Sequence, residues 1–467
     1  MQRSRAAPRS RLQVDISPLR RGEGHPLPPV ERYPLQAILL FLTKLHYEFV
    51  TAKQIAGFLL FAAFLPAQTP MTLEQAIQEA LANNLDLAAQ KYNVSVAEAR
   101  QITASLRPNP ILSVSGQTLN LLGARYTPDS PLGPNQLVVH TDFPIERGHK
   151  RQERTAVAKE EKSMAELGVR EMMRQVIFGI QNAFVDIQQA GENLKLAQEN
   201  LQKLEGVVSI NETRLKSGDL SRVELERSQV AALQLRANVQ QAQLQLDQAK
   251  TQLQLLLGRK QSTAEISVSE VLRRDDLTQT RDQLTDLAFT RRPDYLLAQQ
   301  AQSRSRADLR LQIANGKVDY TVGADYNYQR AYAFGGSSLG VSFSMPLPVF
   351  NRNQGEILRA RREIEQGGAR TDAVRIGITN ELEKAYRQYT VAKQLLNGIE
   401  TGILTKARNV RDTTEYSYRR GEASLIEFLD AQRAFNDAMQ TFNDARASYA
   451  RSLYLLDTVS GATVSGS

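Results

Sequence analysis

The sequence predicts a mainly α-helical chain with a membrane β part, built from two long helical hairpins that each follow a pair of strands. Two observations carry this reading. First, one helix-turn-helix phrase occurs twice. Arg214-Leu-Lys-Ser-Gly218-Asp-Leu-Ser221-Arg-Val-Glu224 and Tyr418-Arg-Arg-Gly421-Glu-Ala-Ser424-Leu-Ile-Glu427 align glycine on glycine, serine on serine and glutamate on glutamate. Each glycine suits a helix C-terminus that needs positive φ, each basic last turn suits the helix dipole, and each Ser-x-x-Glu spells a capping box that starts the next helix. Second, strictly alternating apolar and polar stretches precede each long helical pattern, as half-buried strands require.

Composition narrows the function classes. The chain has 467 residues, no Cys and no Trp. The missing Cys excludes disulfides, thiolate metal sites and an N-terminal lipoprotein anchor. The net charge of +8 is concentrated at the N-terminus, where residues 1–49 contribute +4 and Lys53 one more. The remaining basic residues are interspersed with acidic ones along helices, which describes a solvated face and argues against nucleic acid as a partner.

Residues 1–49 are Arg/Pro-rich and aperiodic, and are expected to be disordered or to lie upstream of the true start. After Lys53, the apolar run Ile55-Ala-Gly-Phe-Leu-Leu-Phe-Ala-Ala-Phe-Leu65 is too short to span a bilayer. With Leu65-Pro-Ala67 behind it, it reads as a secretory signal cleaved near Ala67, with Val50 as an alternative start. Residues 1–67 are thus an extension and signal, 68–280 a first repeat and 281–467 a second.

Helix periodicity runs over 72–107, capped by Thr72 and stopped by Pro108. Strands follow at 112–118 and 137–143, the latter ended by Pro144. A long helix spans about 147–216 with a heptad-like seam (Leu194, Ala197, Leu201, Leu204, Val208, Leu215). A shorter helix covers 221–257. The second repeat copies the order: helix 281–315, strands 318–329 and 339–345, long helix 355–419 (Leu382, Tyr386, Tyr389, Leu396, Ile399, Ile403, Val410) and last helix 424–457. Asp294 stands where Asp86 stood. The paired short helices match the long ones in length, so a cylinder of equal staves is possible.

The strand pattern alone suits either a soluble half-buried sheet or a membrane barrel with lipid outside and water inside. The export signal, the lack of apolar helical spans and the long helices favour the barrel, and Tyr320, Tyr326 and Tyr328 suit an interfacial belt. Four strands cannot close in lipid, since an open edge leaves backbone groups unsatisfied. Eight strands are filled by side chains, so a conduit needs at least three copies, or twelve strands.

This order resembles the TolC family of outer-membrane channels over roughly residues 70–462. Pro346-Leu-Pro-Val-Phe-Asn-Arg-Asn-Gln-Gly355 and Phe143-Pro-Ile-Glu-Arg-Gly-His-Lys-Arg151 look like its CzcC-like heavy-metal branch. The resemblance implies a homotrimer with a trimeric α-barrel and a 12-stranded β-barrel in outer-membrane lipid. Its partners would be a periplasmic adaptor (membrane fusion protein) and an inner-membrane resistance-nodulation-division pump. By motif, the pore gate falls on Glu224, Glu427 and Asp430, with Tyr418 as a latch. The family's tip arginine falls on Ala423, so Arg420 or Arg222 would have to replace it. Glu224 and Glu427 also have a plain capping role. The exposed turns, Gly218, Asp219, Leu220 and Ser221 with Gly421, Glu422, Ala423 and Ser424, are the expected adaptor-docking surface.

His140 faces the proposed lumen, but with few His and no Cys the sequence offers no metal site and no cofactor site. It holds no phosphate loop, no HExxH and no Gly-x-Ser-x-Gly, so no enzyme is expected. The expected function is a passive exit duct, with divalent metal cations as a candidate cargo. The rival readings are a periplasmic adaptor, a coiled-coil scaffold, and the outer-membrane duct of a type I protein secretion system.

Overall fold

Apolar residues at three- and four-residue spacing fold into ten helical segments among the described residues, and one antiparallel sheet carries the alternating stretches. The computed structural model describes residues 70–117, 135–259, 266–268, 271–330 and 335–462, all within the unit Thr69–Ser467. The N-terminal extension, the expected export signal with its cleavage point near Ala67, and the loop 121–134 lie outside them. No described helix is long and apolar enough to cross a membrane.

In chain order the elements are α1 Leu73–Asn83, α2 Leu85–Ser105, β1 Ile111–Gln117, β2 Asn135–Ile145, α3 Lys150–Ser217 and α4 Arg222–Leu256. Then come α5 Arg281–Arg291, α6 Pro293–Asn315, β3 Tyr320–Arg330, β4 Gly335–Ser344, α7 Gln354–Gly398, a π-helical turn Ile399–Ile403, α8 Leu404–Arg420 and α9 Leu425–Ser460.

The helices expected at 72–107 and 281–315 are each broken once. In the first, Asn84 leaves the helix, accepts from the Leu87 N–H (3.0 Å) and donates to the Leu256 carbonyl (2.9 Å). In the second, Pro293 opens a new helix and Arg292, 2% exposed, occupies the break. A proline lacks the N–H a helix interior needs, so the sequence did signal this second break. Arg292 binds Asp294 through two nitrogens, Glu381 at 2.9 Å and the Val459 carbonyl. Both breaks abut a left-handed glycine that closes the following hairpin. A Cβ on Gly258 would stand 2.3 Å from the Asn83 carbonyl oxygen, and one on Gly461 3.1 Å from Arg291 and Arg292.

The second long helix differs from its expected course. Its buried positions Leu382, Ala385, Tyr389, Ala392, Leu396 and Ile399 advance by threes and fours, then step by five to Leu404 before Arg411 and Tyr418. The π turn supplies the extra residue, next to the poor helix formers Gly398 and Gly402. Ile403 and Val410, expected in the seam, are therefore exposed. Leu233 and Leu244 of α4 are also exposed, and Ala232 and Ala242 are buried beside them.

The sheet has the order β1-β2-β3-β4 with every pair antiparallel. β2 continues through Pro144 to Ile145, because β1 ends opposite Asp142 and leaves that end of β2 without a partner on one side. Register places Ser113, His140, Asp325 and Gly340 on one face, with Ser115, Asn327 and Ser338 alongside. Leu112, Val139, Val322, Val341 and Phe343 share the other.

Two equivalent apolar clusters hold the helices together. One joins Ala76 and Ala80 of α1 to Ile180 and Phe184 of α3 and Leu253 of α4. The other joins Leu284 and Ala288 of α5 to Leu382 and Tyr389 of α7 and Tyr449 and Leu453 of α9. A strap fastens the second cluster: Leu272 packs on Val185 and Ala447, and the Leu277 N–H donates to the Tyr389 hydroxyl at 3.2 Å.

Candidate functional site: the paired tips and the polar sheet face

Both hairpin turns close as the sequence predicts. Gly218 (φ 84°) ends α3 and Gly421 (φ 79°) ends α8, each in the left-handed region that a side chain resists. Their next helices start differently. The Ser424 hydroxyl accepts from the Glu427 N–H (3.3 Å), and the Glu427 carboxylate accepts from the Ser424 N–H (2.7 Å), so the capping box is closed. The backbone N–H of Ser424, then its hydroxyl, hold the Glu427 carboxyl below the usual carboxylate range. At the first tip, Ser221 caps the Glu224 N–H (3.2 Å), but the Glu224 carboxylate reaches only the Ser221 hydroxyl, at 3.5 Å. The reciprocal half of the box expected at Glu224 is not made.

The two tips meet through a small core. Leu204 and Val207 of α3 and Ala232 of α4 pack with Tyr418 of α8 and Leu425 and Phe428 of α9. Tyr418 is 3% exposed, stacks on Phe428 (5.4 Å between centroids) and donates to Asn211 Oδ1 at 2.7 Å. Burial pushes its hydroxyl pKa up. The expected substitutes for the missing tip arginine do not bridge the hairpins. Arg222 pairs with Glu226 on its own helix (3.1 Å), and Arg420 lies over Tyr416. Arg214 bridges instead: it donates to the Arg419 carbonyl (2.7 Å) and sits over the Tyr418 ring. The sequence shows Arg214 only as a cation in a last turn, and its long-range partners leave no local signal.

Above the tips, the seam between α3 and α9 is polar. Gln432 donates to Asn200 (3.0 Å), Asn443 to Asn193 (2.9 Å), Gln189 to Asp444 (2.6 Å) and Arg451 to Gln189 (2.7 Å). Polar pairs at such positions set register at a cost in packing.

Glu427 and Asp430 share an exposed stripe of α9, where Asp430 meets only Arg433, at 3.9 Å. Glu224 is half-buried near Tyr418. Of the expected docking residues, Gly218, Asp219, Ser221, Gly421, Glu422 and Ser424 are exposed, whereas Leu220 and Ala423 are half-buried. On the sheet's polar face, His140 Nε2 lies 3.0 Å from Asp142 Oδ1 and its Nδ1 4.0 Å from Asp325 Oδ1. Among the described residues no group of three His, Cys, Asp or Glu is placed to hold a metal ion.

A four-stranded sheet with one largely polar and one apolar face, continued by two long-helix hairpins, is the architecture of an outer-membrane channel chain. The chain belongs to the outer membrane efflux protein family, whose model matches residues 76–259 and 284–462. It is similar to the cobalt-zinc-cadmium resistance protein CzcC of Cupriavidus metallidurans, 23% identical over 403 residues that cover 86% of this chain and 92% of that one. It is also similar to the pyoverdine export outer membrane protein OpmQ of Pseudomonas aeruginosa, 22% identical over 382 residues, 77% of this chain and 79% of that one. Among solved structures, the outer membrane protein VceC of Vibrio cholerae superposes with a TM-score of 0.68 at 16% identity, covering 83% of this chain and 96% of that one. The protein is thus the outer-membrane channel component of a tripartite efflux system, lying in the outer membrane and extending into the periplasm.

Proposed function

We propose that three copies of the chain form a passive exit duct for divalent metal cations, closed at rest by its tips. The observation that carries this is the sheet, whose β1 and β4 have no further strand on their outer edges among the described residues and one of whose faces is mostly polar, with Ser113, Ser115, His140, Asp325 and Asn327. Three such sheets joined edge to edge make a twelve-stranded barrel with no free edge and a water-filled bore. The exposed apolar residues Val230, Leu233 and Leu244 of α4 fit a neighbouring subunit's helix. The duct performs no catalysis. A periplasmic adaptor docks on the turns at 218–221 and 421–424, and an inner-membrane pump of the resistance-nodulation-division class chooses the cargo. The name of CzcC favours metals, and the name of OpmQ marks an organic cargo as the competing reading. The residues at 68–280 and 281–467 act as two repeats that each contribute one tip.

The Glu427 and Asp430 stripes, with Glu224, ring the narrow end and select cations, while Tyr418 and Arg214 hold the two hairpins of one subunit together. Planar-bilayer recording of the detergent-purified chain 68–467 tests this. Small cation-selective steps are expected, and Glu427→Gln with Asp430→Asn should shift the reversal potential in a salt gradient toward zero. A potential that does not move removes the gate from these residues. If no channel events appear even after Tyr418→Phe loosens the tip, the duct itself is refuted.

A further inference from the structure

We propose that the neck joining the sheet to the long helices is a docking surface for anionic phospholipid of the periplasmic leaflet. This rests on reading the apolar sheet face as the lipid face. Alternation on β4 does not stop at the strand's end. Leu339, Val341 and Phe343 lie on the apolar face, and Met345, Leu347 and Val349 keep the same parity through Pro346 and Pro348. Leu347 is 71% exposed and Phe350 91%. The segment has a firm base: a Cβ on Gly316 would stand 2.8 Å from the Arg352 carbonyl oxygen, and Asn353 Nδ2 donates to the Gln312 carbonyl at 2.8 Å. Phe350, one residue beyond that alternation, is thus an exposed apolar side chain set between the continued segment and this base. Beside it, Tyr320 and Phe343 pack at 5.3 Å and the Arg147 guanidinium lies 4.5 Å over the Tyr320 ring, an arrangement that suits a membrane interface.

The charges at this level point to the kind of lipid. Each neck carboxylate already has a partner. Asp319 takes Lys150 (2.7 Å) and the Arg147 N–H, Glu146 takes Arg154, and Glu356 takes Arg359 (2.6 Å). Three exposed cations are left over. Among the described residues Arg107 and Lys317 pair with no acidic group, and the Arg352 side chain spends only its Nε–H, on the Pro348 carbonyl at 3.1 Å. Lys317 and Arg352 lie on Phe350's own side, where Gly316 meets the Arg352 carbonyl, and Arg107 stands at the same end of the sheet ahead of β1. Unneutralised cations at the level of an exposed apolar side chain complement a phosphate headgroup above its acyl chain. The neck is the helix-bearing end of the sheet, so the leaflet is the periplasmic one.

The absence of Trp makes the test direct, because an introduced indole is the only one in the chain. Phe350→Trp and, as the control for the lipid face itself, Val341→Trp would each be reconstituted in vesicles containing brominated phosphatidylcholine or brominated phosphatidylglycerol, whose bromines quench indole on contact. Both indoles should be quenched. Phe350→Trp should show about fivefold enrichment of the anionic quencher, the scale of one cation near a charged surface. Adding Arg107→Gln, Lys317→Gln and Arg352→Gln should abolish that enrichment and leave quenching by phosphatidylcholine intact. Equal quenching by the two lipids at position 350 overturns the anionic site. Quenching at 341 but not at 350 shows the latter side chain covered by protein or water and overturns the docking surface. No quenching at either position refutes the lipid-face reading beneath it.

Discussion

The first hairpin has an unbroken 68-residue helix and a cap closed from one side only, whereas the second has a π turn in its long helix and a capping box closed from both. One sequence phrase produces both tips, so the difference comes from the surroundings. At the first tip Glu224 is half-buried near Tyr418 and does not reach the Ser221 N–H. At the second, Glu427 is free on the exposed face of α9 and folds back onto Ser424. The second tip is thus the locally self-sufficient one. Its departure from α-helical regularity lies further up, at Ile399–Ile403, where the Glu400 carboxylate pairs with Arg274. A duplicated motif can thus keep its turns and differ in its shafts: one long helix is continuous, and the other is interrupted by a π turn.

The contrast breaks hardest if the shared core is removed. Phe428 is 1% exposed and touches both arms' cluster. Phe428→Ala should cost about 3–5 kcal/mol, the usual range for a buried phenylalanine. Because the clusters around Ile180 and Leu382 share no residue with the tip cluster, the loss should stay local. Amide hydrogen exchange should accelerate at residues 200–235 and 415–435 and remain unchanged at 378–399. Acceleration throughout the helices would show that the tips and the clusters around Ile180 and Leu382 are one cooperative unit and would erase the distinction drawn between them.

A smaller effect sharpens the same comparison. Ser424→Ala removes the acceptor for the Glu427 N–H and one donor to its carboxylate, and should loosen the first turn of α9 by about 1 kcal/mol. Ser221→Ala removes the acceptor for the Glu224 N–H and only a long contact to its carboxylate. It should cost less, near the lower end of the same range, about 0.5 kcal/mol. Exchange rates at amides 224–226 and 427–429 measure the pair. Equal losses would mean that the open and closed boxes do not differ energetically.

How much of this was legible in the sequence follows from how far each signal reaches. Turn chemistry is local, so Gly218, Gly421, Ser221 and Ser424 could be read directly. Strand alternation is local too, and the polar and apolar faces fall where parity places them. The π turn is different. It inserts one residue into the period, so Ile403 and Val410 continue the old phase while the true seam moves to Leu404, Arg411 and Tyr418. A fixed helical period cannot reveal its own interruption, although Gly398 and Gly402 hinted at it. The break at Arg292 was signalled by Pro293. The break at Asn84 had only an asparagine in a helical pattern, and its partner carbonyl belongs to Leu256, far along the chain. The bridge from Arg214 to the Arg419 carbonyl is of the same kind, since a side chain that caps a helix from another hairpin is visible only once the hairpins are packed.

The gentlest way to separate the tips is with acid. The folded Glu427 carboxyl titrates below its ordinary value of 4.5 because the Ser424 N–H and hydroxyl favour its charged form. A group whose folded pKa is depressed contributes stability that is fully present above the unfolded value and is lost as pH falls through the folded one. The cap on α9 should therefore be intact at neutral pH and down to about that ordinary value, then weaken below it. Exchange at amides 427–429, corrected for intrinsic chemical rates, should rise over that acid window, and Glu427→Gln should flatten the dependence. The first turn of α4, whose Ser221 N–H receives no carboxylate, should show no matching rise attributable to its cap. A parallel acid response at both tips would mean that Glu224 closes its box in solution, and the asymmetry between the hairpins would then reduce to the π turn alone.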